Sequence, residues 1–462
     1  MYMKQSVLKL KSIQYLVVGL LLLVTTIATA QQPANSSLPE TLVSEVESLV
    51  DKDKDRLIET FKDIHQNPEL GFMEVRTAGI VAKELQKLGY EVKTGIAKTG
   101  VVGILKNGNG PVVMFRADMD AIAAEEHTGL PYASTTRVTN NEGEEVPVAH
   151  LCGHDAHTTW MLGLAKVMAE LKDKWSGTLV VVGQPAEELI EGASAMVSDG
   201  LYTTHGVPEP DYLIGTHTLP VPTGLVVCSG GVLMAGTEQL DVTFYGQSSH
   251  GSSPQFSKDA GLMAAYAIVQ YQAIIARVLD PRDPGVITVG AIHAGVENNT
   301  IPGLAELKLN FRFFKEEVRD QLFRGVDAIN KGIARTYGMP EDKLPTIVRK
   351  GYSAPLVNDK DFVDELSTSL KGSSLVETQN VITDFPAVTG SEDCHMLVHG
   401  IEGVKVAYVP IGTAPPDVYA KAKEEGKAIP FAQHQAEYMV DLNAIPFGTK
   451  VAALMALTPL IK

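Results

Sequence analysis

Hydrophobic residues recur along this chain in two different patterns. After residue 40 they recur every three or four positions: Leu57, Phe61 and Ile64 share one helix face, and His157–Leu171 repeats that spacing. Short, continuous apolar runs stand between such helical stretches, at Val112–Phe115, Leu179–Val182, Tyr212–Ile214 and Val404–Val409. Continuous apolar strands separated by helices predict an α/β fold, with a mostly parallel sheet that helices cover on both faces.

The middle of the chain follows a different pattern. Apolar and polar residues alternate in Leu240–Phe244, Ile287–Val289 and Leu307–Phe311, which predicts strands with one solvated face. Ala260–Val278 and Glu316–Tyr337 have helical spacing. An α+β domain therefore interrupts the α/β domain. The predicted bounds are 40–229 for the first part of the α/β domain, 230–342 for the inserted domain and 343–462 for the second part of the α/β domain.

The N-terminus has the pattern of a secretory signal peptide, which we predict at 1–30. Lys4, Lys9 and Lys11 precede the apolar stretch Tyr15–Ile27, and Ala28-Thr29-Ala30 follows it as a cleavage site. An uncleaved N-terminal anchor is the alternative. The sequence thus predicts an exported protein, periplasmic or secreted. We expect no stable membrane insertion after processing, because no other segment has eighteen uninterrupted apolar residues.

Composition excludes several classes of protein. Hydrophobic residues make up 45% of the 462 residues, which is enough apolar surface to fold rather than stay disordered. The 39 Lys and Arg against 55 Asp and Glu give a net charge of −16, which would repel phosphate backbones, so we expect no nucleic-acid partner. Three cysteines in so long a chain exclude a disulfide scaffold.

Potential metal ligands follow the predicted strands of the α/β part. The side chains concerned are Asp118 and Asp120, Glu187 and Glu188, His217 and, at the start of the helix over 157–171, Cys152, His154, Asp155 and His157. Ligands bind at the carboxyl ends of strands in open α/β sheets, so these groups should converge. Adjacent carboxylates repel each other unless a cation is present, and a mixture of thiolate, imidazole and carboxylate suits Zn, Mn, Co or Ni.

Seven segments, in order along the chain, carry a resemblance to a known family. They are Asp63–Leu70, Phe115–Ile122, Cys152–His157, Gln184–Glu188, Gly246–Gly251, Asn299–Pro302 and Ser391–Asp393. The sequence resembles the metal-dependent aminoacylase, hippurate hydrolase and indoleacetyl-amino-acid hydrolase group of dinuclear metallopeptidases. The resemblance implies two divalent metal ions, a small-molecule amide substrate and an inserted lid or dimerisation domain. Because the inserted domain of this family often pairs two subunits, the resemblance also implies a homodimer.

The resemblance also implies roles for individual residues. The implied metal ligands are Cys152, His154, Glu188, His217 and His434. Glu187 matches the general base, His250 a histidine that helps to stabilise the oxyanion, and Asn299 and Arg312 the positions that recognise the substrate carboxylate. Asp118, Asp120 and Asp155 are expected behind the ligands, where carboxylates orient imidazole rings.

Some positions depart from the family pattern. His434 is followed by Gln435-Ala436 instead of the usual Ser-Pro. Ser248-Ser249 replaces the usual glycines before the inserted-domain histidine, and Cys394 replaces an aromatic residue. The last two changes could reshape the substrate pocket.

The predicted reaction is hydrolysis of the amide bond of N-acyl amino acids or similar conjugates by a metal-activated water, with Glu187 as general base. An exopeptidase, either a carboxypeptidase or a dipeptidase, is the alternative on the same scaffold. A non-catalytic binding protein is disfavoured because the base and the ligands are all present. A thiol redox role is disfavoured because the chain has no Cys-x-x-Cys spacing.

Overall fold

A computed structural model describes residues 37–461, which belong to one unit. The predicted signal peptide, 1–30, lies outside the described residues. Helices of the described part are α1 (Glu40–Gln66), α2 (Val75–Lys87), α3 (His154–Glu170), α4 (Gly192–Ser198), α5 (Ala260–Arg277), α6 (Glu316–Thr336), α7 (Lys360–Lys371), α8 (Pro416–Glu424) and α9 (Ala444–Leu457).

Its strands are β1 (Glu91–Ile96), β2 (Gly100–Asn107), β3 (Val112–Asp118), β4 (Arg137–Thr139), β5 (Glu145–Pro147), β6 (Gly177–Gln184), β7 (Tyr212–Pro222), β8 (Val226–Val227), β9 (Gly231–Met234), β10 (Gly236–Tyr245), β11 (Ser249–His250), β12 (Gly285–Ala294), β13 (Thr300–Ile301), β14 (Leu304–Phe313), β15 (Thr346–Ser353), β16 (Leu356–Asn358), β17 (Val381–Ile382) and β18 (Lys405–Ala414).

An eight-stranded sheet forms the centre of the α/β part, in the order β1-β2-β6-β3-β7-β18-β8-β17. Its middle strands β6, β3, β7 and β18 are parallel to one another, whereas β1 and β2 form an antiparallel edge. The four middle strands contain the four apolar runs of the sequence, so the predicted α/β fold is confirmed. Because β6, β3 and β7 are parallel neighbours, the segments that follow them emerge at one edge of the sheet.

Helices cover both faces of this sheet. One face packs against α1, α2, α3 and α9 in a core that includes Phe61, Phe115 and Trp160. The other face packs against α4 and the residues around Met396 and Leu397. Nearly every residue of α3 is buried. This helix starts at the edge where the strands end, so its first residues face the predicted site.

A second sheet of four antiparallel strands, in the order β12-β14-β10-β15, packs against α5 and α6 around its own core. Burial alternates along β14, which has the period of two that the sequence shows there. Strand β15 of this sheet (Thr346–Ser353) lies beyond residue 342, where the sequence predicts the end of the inserted domain. None of the helices in the part of the chain that the structure describes is long and apolar enough to cross a membrane.

Candidate metal-dependent active site

The predicted ligands meet at the carboxyl edge of the large sheet. Cys152, His154 and His217 form one group whose donor atoms lie within 4.8 Å of one another, and Cys152, Glu188 and His434 form another. The Sγ of Cys152 lies 3.5 Å from Nε2 of His217, and Nε2 of His434 lies 3.2 Å from Oε1 of Glu188. Cys152 belongs to both groups, so these five residues would together hold divalent cations.

Hydrogen bonds orient the imidazoles of His154 and His217 toward the centre of the site. Nδ1 of His154 donates to Asp120 at 3.2 Å, which leaves its buried Nε2 without a hydrogen-bond partner. Nδ1 of His217 donates to the carbonyl of Thr218 at 2.7 Å, so its Nε2 faces Cys152. A histidine that donates one ring N–H to a fixed acceptor presents its other nitrogen as a metal ligand. These residues therefore fit divalent cations.

Burial and neighbouring charges shift the pKa values of the groups in the site in different directions. Burial, together with the charges of Glu392 and Glu188, raises the pKa of Glu187 well above its usual range. Burial lowers the pKa of His154, but the charge of Asp118 and the hydrogen bond to Asp120 outweigh it and raise that pKa overall. Burial and the nearby His157 lower the pKa of His217 to about 4. A neutral imidazole is the form that binds a metal.

Gly153 allows Cys152 and His154 to lie side by side at the start of α3. Its φ of +85° is in the left-handed region that favours glycine. A Cβ added there would lie 2.4 Å from Oγ1 of Thr218 and 2.8 Å from the hydroxyl of Tyr438. Any side chain at this position would therefore push the two ligands away from β7.

The three aspartates predicted behind the ligands have different partners. Asp118 accepts a hydrogen bond from Nδ1 of His157 at 2.6 Å, and Asp120 accepts the one from His154. Nε2 of His157 accepts from the backbone of Thr218, so both nitrogens of His157 are already bonded. Asp155 instead bonds Nδ1 of His65 at 2.6 Å, and it thereby ties α3 to α1 without touching a predicted ligand.

A cavity of about 530 Å³ opens over the predicted ligands. Its polar lining residues include Cys152, Glu187, Glu188, His217, Gln239, Arg312, Ser391, Gln433 and His434. Its apolar lining residues include Ile190, Leu219, Leu233, Met234, Phe385, Val388 and Pro410. Arg312 is held by Ser391 and by Asn310, whose Oδ1 accepts from its Nε at 2.9 Å. Burial lowers the pKa of Arg312, and the opposing charge of Glu187 acts against that shift.

His250 and Asn299 are not among the residues that line this cavity. His250 pairs with Thr300 in the short ladder of β11 and β13, and its Nδ1 contacts Oγ of Ser252 at 2.7 Å. Oδ1 of Asn299 accepts a hydrogen bond from the hydroxyl of its neighbour Thr300 at 3.3 Å. Both side chains are exposed.

Arg116 is a buried residue of the site that sequence reasoning passed over. Its guanidinium has no exposed surface and bonds Asp118 at 2.7 Å, Glu392 at 2.7 Å, Asp393 at 3.1 Å and Gln184 at 2.7 Å. It thus joins β3 and β6 to Glu392 and Asp393, which lie 276 and 277 residues after Arg116. An arginine inside the apolar strand Val112–Asp118 was the available signal, since buried charges are almost always paired.

The fold and the donor set together define a metal-dependent hydrolase with its site at the carboxyl edge of the sheet. The chain belongs to peptidase family M20/M25/M40, whose sequence pattern matches residues 114–455. The protein is accordingly a metal-dependent amidohydrolase that acts on amide bonds, as the sequence predicted.

Known proteins similar to this chain include enzymes of two activities. A hippurate hydrolase of Campylobacter jejuni is 38% identical over 320 residues, which cover 68% of this chain and 79% of that protein. Thermostable carboxypeptidase 1 of Saccharolobus solfataricus is 31% identical, with 90% of this chain and 98% of that protein covered. A dinuclear metal-binding peptidase of the M20 family from Bacillus subtilis has the same fold, with a TM-score of 0.65 at 24% identity, covering 88% of this chain and 98% of that one.

Proposed function

We propose that the protein hydrolyses the amide bond of N-acyl amino acids, with Glu187 as general base. The observation that carries this proposal is that one cavity is lined by Glu187, by four of the five predicted ligands and by the half-buried Arg312. The similarity to a hippurate hydrolase supports it, since hippurate is an N-acyl amino acid.

The proposed roles follow from where the groups lie. Two divalent cations, when bound to the five ligands, supply positive charge that polarises an amide carbonyl and lowers the pKa of a water molecule. Glu187 accepts the proton of that water and passes it to the leaving nitrogen. Arg312 binds the carboxylate of the amino acid, for which its planar fork of donors is suited.

Replacing Arg312 by glutamine is expected to raise KM for N-acyl amino acids by about 10- to 100-fold, because a charge-assisted hydrogen bond is worth about 1.5–3 kcal/mol. The fall in kcat should be smaller, since the ligand groups and Glu187 are unchanged. Steady-state kinetics on the acid and on its methyl ester check this. Equal KM values for the acid in both proteins would place carboxylate recognition elsewhere.

An exopeptidase activity is the second candidate, favoured by the similarity to a carboxypeptidase. Arg312 could bind the C-terminal carboxylate of a peptide in the same way. A substrate panel decides between the two: N-acetyl, N-benzoyl and indoleacetyl amino acids against dipeptides and N-blocked dipeptides, using protein loaded separately with Zn, Mn, Co or Ni. Faster cleavage of the simple N-acyl amino acids supports the first candidate, and faster cleavage of the peptides supports the second.

We propose that the active form is a homodimer. The inserted domain exposes the apolar side chains of Leu262, Tyr266 and Val269 on α5, and Ile292 on β12, which is an edge strand of the second sheet. A second copy would cover this surface. His250, which lies outside its own chain's cavity, would then act in the site of the partner.

Mixing two inactive variants tests this arrangement. If His250 acts across subunits, then combining His250→Ala with Glu187→Gln by unfolding and refolding should restore activity, because some dimers have one intact site. Each variant refolded alone is the control and should remain inactive. Absence of restored activity in dimers shown to be mixed by mass would assign His250 to its own chain, whereas an active His250→Ala protein would deny His250 a role.

We further propose that the protein is exported, on the basis of the basic, apolar and small-residue pattern within residues 1–30. Fractionation of the producing cells, with N-terminal sequencing of the mature chain, tests this. A chain that starts after Ala30 in the exported fraction is expected, and an uncleaved chain in the cytoplasmic fraction would contradict it.

A further inference from the structure

The segment that carries Glu187 and Glu188 has an unusual backbone. It follows β6 through Pro185 and Ala186, and Ala186 has a φ of +51° although it is not glycine. Residues other than glycine seldom adopt this left-handed conformation. Ala186 is also completely buried. The direction in which Glu187 leaves the sheet therefore depends on contacts that hold Ala186 in this conformation.

A buried carboxylate from a distant part of the chain provides such a contact. Oε1 of Glu74 accepts hydrogen bonds from the backbone N–H of Ala186 at 2.8 Å and from that of Phe72 at 3.0 Å. Oε2 of Glu74 accepts from Oγ1 of Thr99 at 2.5 Å. The Glu74 side chain has no exposed surface, and all three of its partners are neutral donors.

The backbone on the other side of Glu187 is held in the same way. The N–H of Glu188 donates to Oδ2 of Asp120 at 3.0 Å. Two carboxylates, from Glu74 and Asp120, thus bind the backbone N–H groups of the residues immediately before and after Glu187. The backbone of Gly71 also packs closely against Ala186, since a Cβ added at Gly71 would lie 3.1 Å from Cα of Ala186.

We propose that Glu74 is a positioning residue for the reaction: by binding the N–H of Ala186 it fixes the backbone before Glu187 and so aims the Glu187 carboxylate into the cavity. Glu74 does not line the cavity itself. Glu74 acts because its oxygen accepts the hydrogen bond of Ala186 and because its side chain is long enough to reach that residue. Its negative charge is therefore dispensable. This inference rests on the proposed role of Glu187 as general base.

A series of three substitutions separates this role from a merely structural one. Glu74→Gln keeps an oxygen that can accept from Ala186 and Phe72, and its NH₂ can donate to Thr99. Glu74→Asp keeps the charge but is one methylene too short to reach Ala186 and Thr99 together. Glu74→Ala removes the acceptor.

The expected result is a kcat for Glu74→Gln within a few-fold of the wild type, with a fall on the order of 10²-fold for Glu74→Asp and Glu74→Ala, as for a small misplacement of a reacting group. Metal content and KM should stay near the wild-type values in all three, because the five ligands and Arg312 are untouched. If Glu74→Ala does not fold, a higher kcat for Glu74→Gln than for Glu74→Asp still tests the proposal. An active Glu74→Asp beside an inactive Glu74→Gln would overturn it, as would a wild-type kcat in both Asp and Ala.

Two controls make the outcome specific. Asp53 is a buried carboxylate of α1 that bonds Arg56 and Lys166 away from the cavity. Asp53→Ala should lower the melting temperature without lowering kcat, which shows what destabilisation alone does. Glu187→Gln separates this proposal from the proposed function: a wild-type rate in that variant would refute the role of Glu187, whereas a low rate there with a wild-type rate in Glu74→Ala would refute only the role of Glu74.

Discussion

Replacing Glu187 by glutamine is expected to lower kcat by about 10²–10⁴-fold, the range typical of general acid–base catalysis, while both metals remain bound. The amide keeps the size and the hydrogen-bonding shape of the side chain but cannot accept a proton from water. Glu187 also lies within 4.8 Å of His154 and Glu188, but it belongs to neither of the two groups that share Cys152, so its replacement removes no donor from those two groups. Single-turnover rates beside metal analysis of the same samples measure both effects.

Glu188→Gln is the matched comparison, because the two glutamates are adjacent and chemically identical. Glu188 shares a ligand group with Cys152 and His434, so its replacement should lower metal content and rate together. An excess of metal should restore part of that rate. The reverse pattern, with metal lost from Glu187→Gln and kept by Glu188→Gln, would exchange the two roles.

Cys152→Ser is expected to cause the largest loss of metal. Cys152 is the one residue shared by both ligand groups. Burial raises the pKa of its thiol. A bound cation would nevertheless deprotonate the thiol, because a metal ion stabilises the thiolate. A serine hydroxyl would stay protonated in the same place. The loss of metal affinity should exceed the roughly 10- to 100-fold loss that follows from removing a residue hydrogen-bonded to a metal ligand. Equilibrium dialysis with Zn or Mn, followed by activity measurements, tests it.

Cys228→Ser is the control for this substitution. Cys228 is also buried and free, but it lies in the core of the α/β part and outside the cavity lining. It should keep both metals and a wild-type rate, at some cost in stability. Full metal occupancy in Cys152→Ser would remove Cys152 from the set of ligands.

Local sequence patterns predicted the parts of this structure that depend on neighbours in sequence. The apolar runs located β3, β6, β7 and β18, because a strand buried on both faces needs continuous apolar residues. The rule that ligands bind at strand ends then predicts that Asp118, Glu188 and His217 lie near one another. Placing His434 in the same cavity needed the family resemblance, since no strand precedes it in the pattern.

The contacts between distant segments could not be predicted in this way. Arg116 bonds Glu392 and Asp393, and Glu74 bonds Ala186, across separations that no periodicity links. The left-handed conformations of Ala186 and His434 could not be predicted from the sequence either, because neither residue is glycine. Tertiary hydrogen bonds and packing decide both features, so they become visible only in the folded chain.

Hydrolysis of hippurate by metal-free and metal-loaded protein tests the central claim most directly. Purified protein is stripped with a chelator and then divided; one part receives Zn, Mn, Co or Ni and the other receives none, with Glu187→Gln treated identically. We expect release of benzoate and glycine only from the metal-loaded protein with Glu187 intact. Equal release by the metal-free protein, or by metal-loaded Glu187→Gln, would contradict the account.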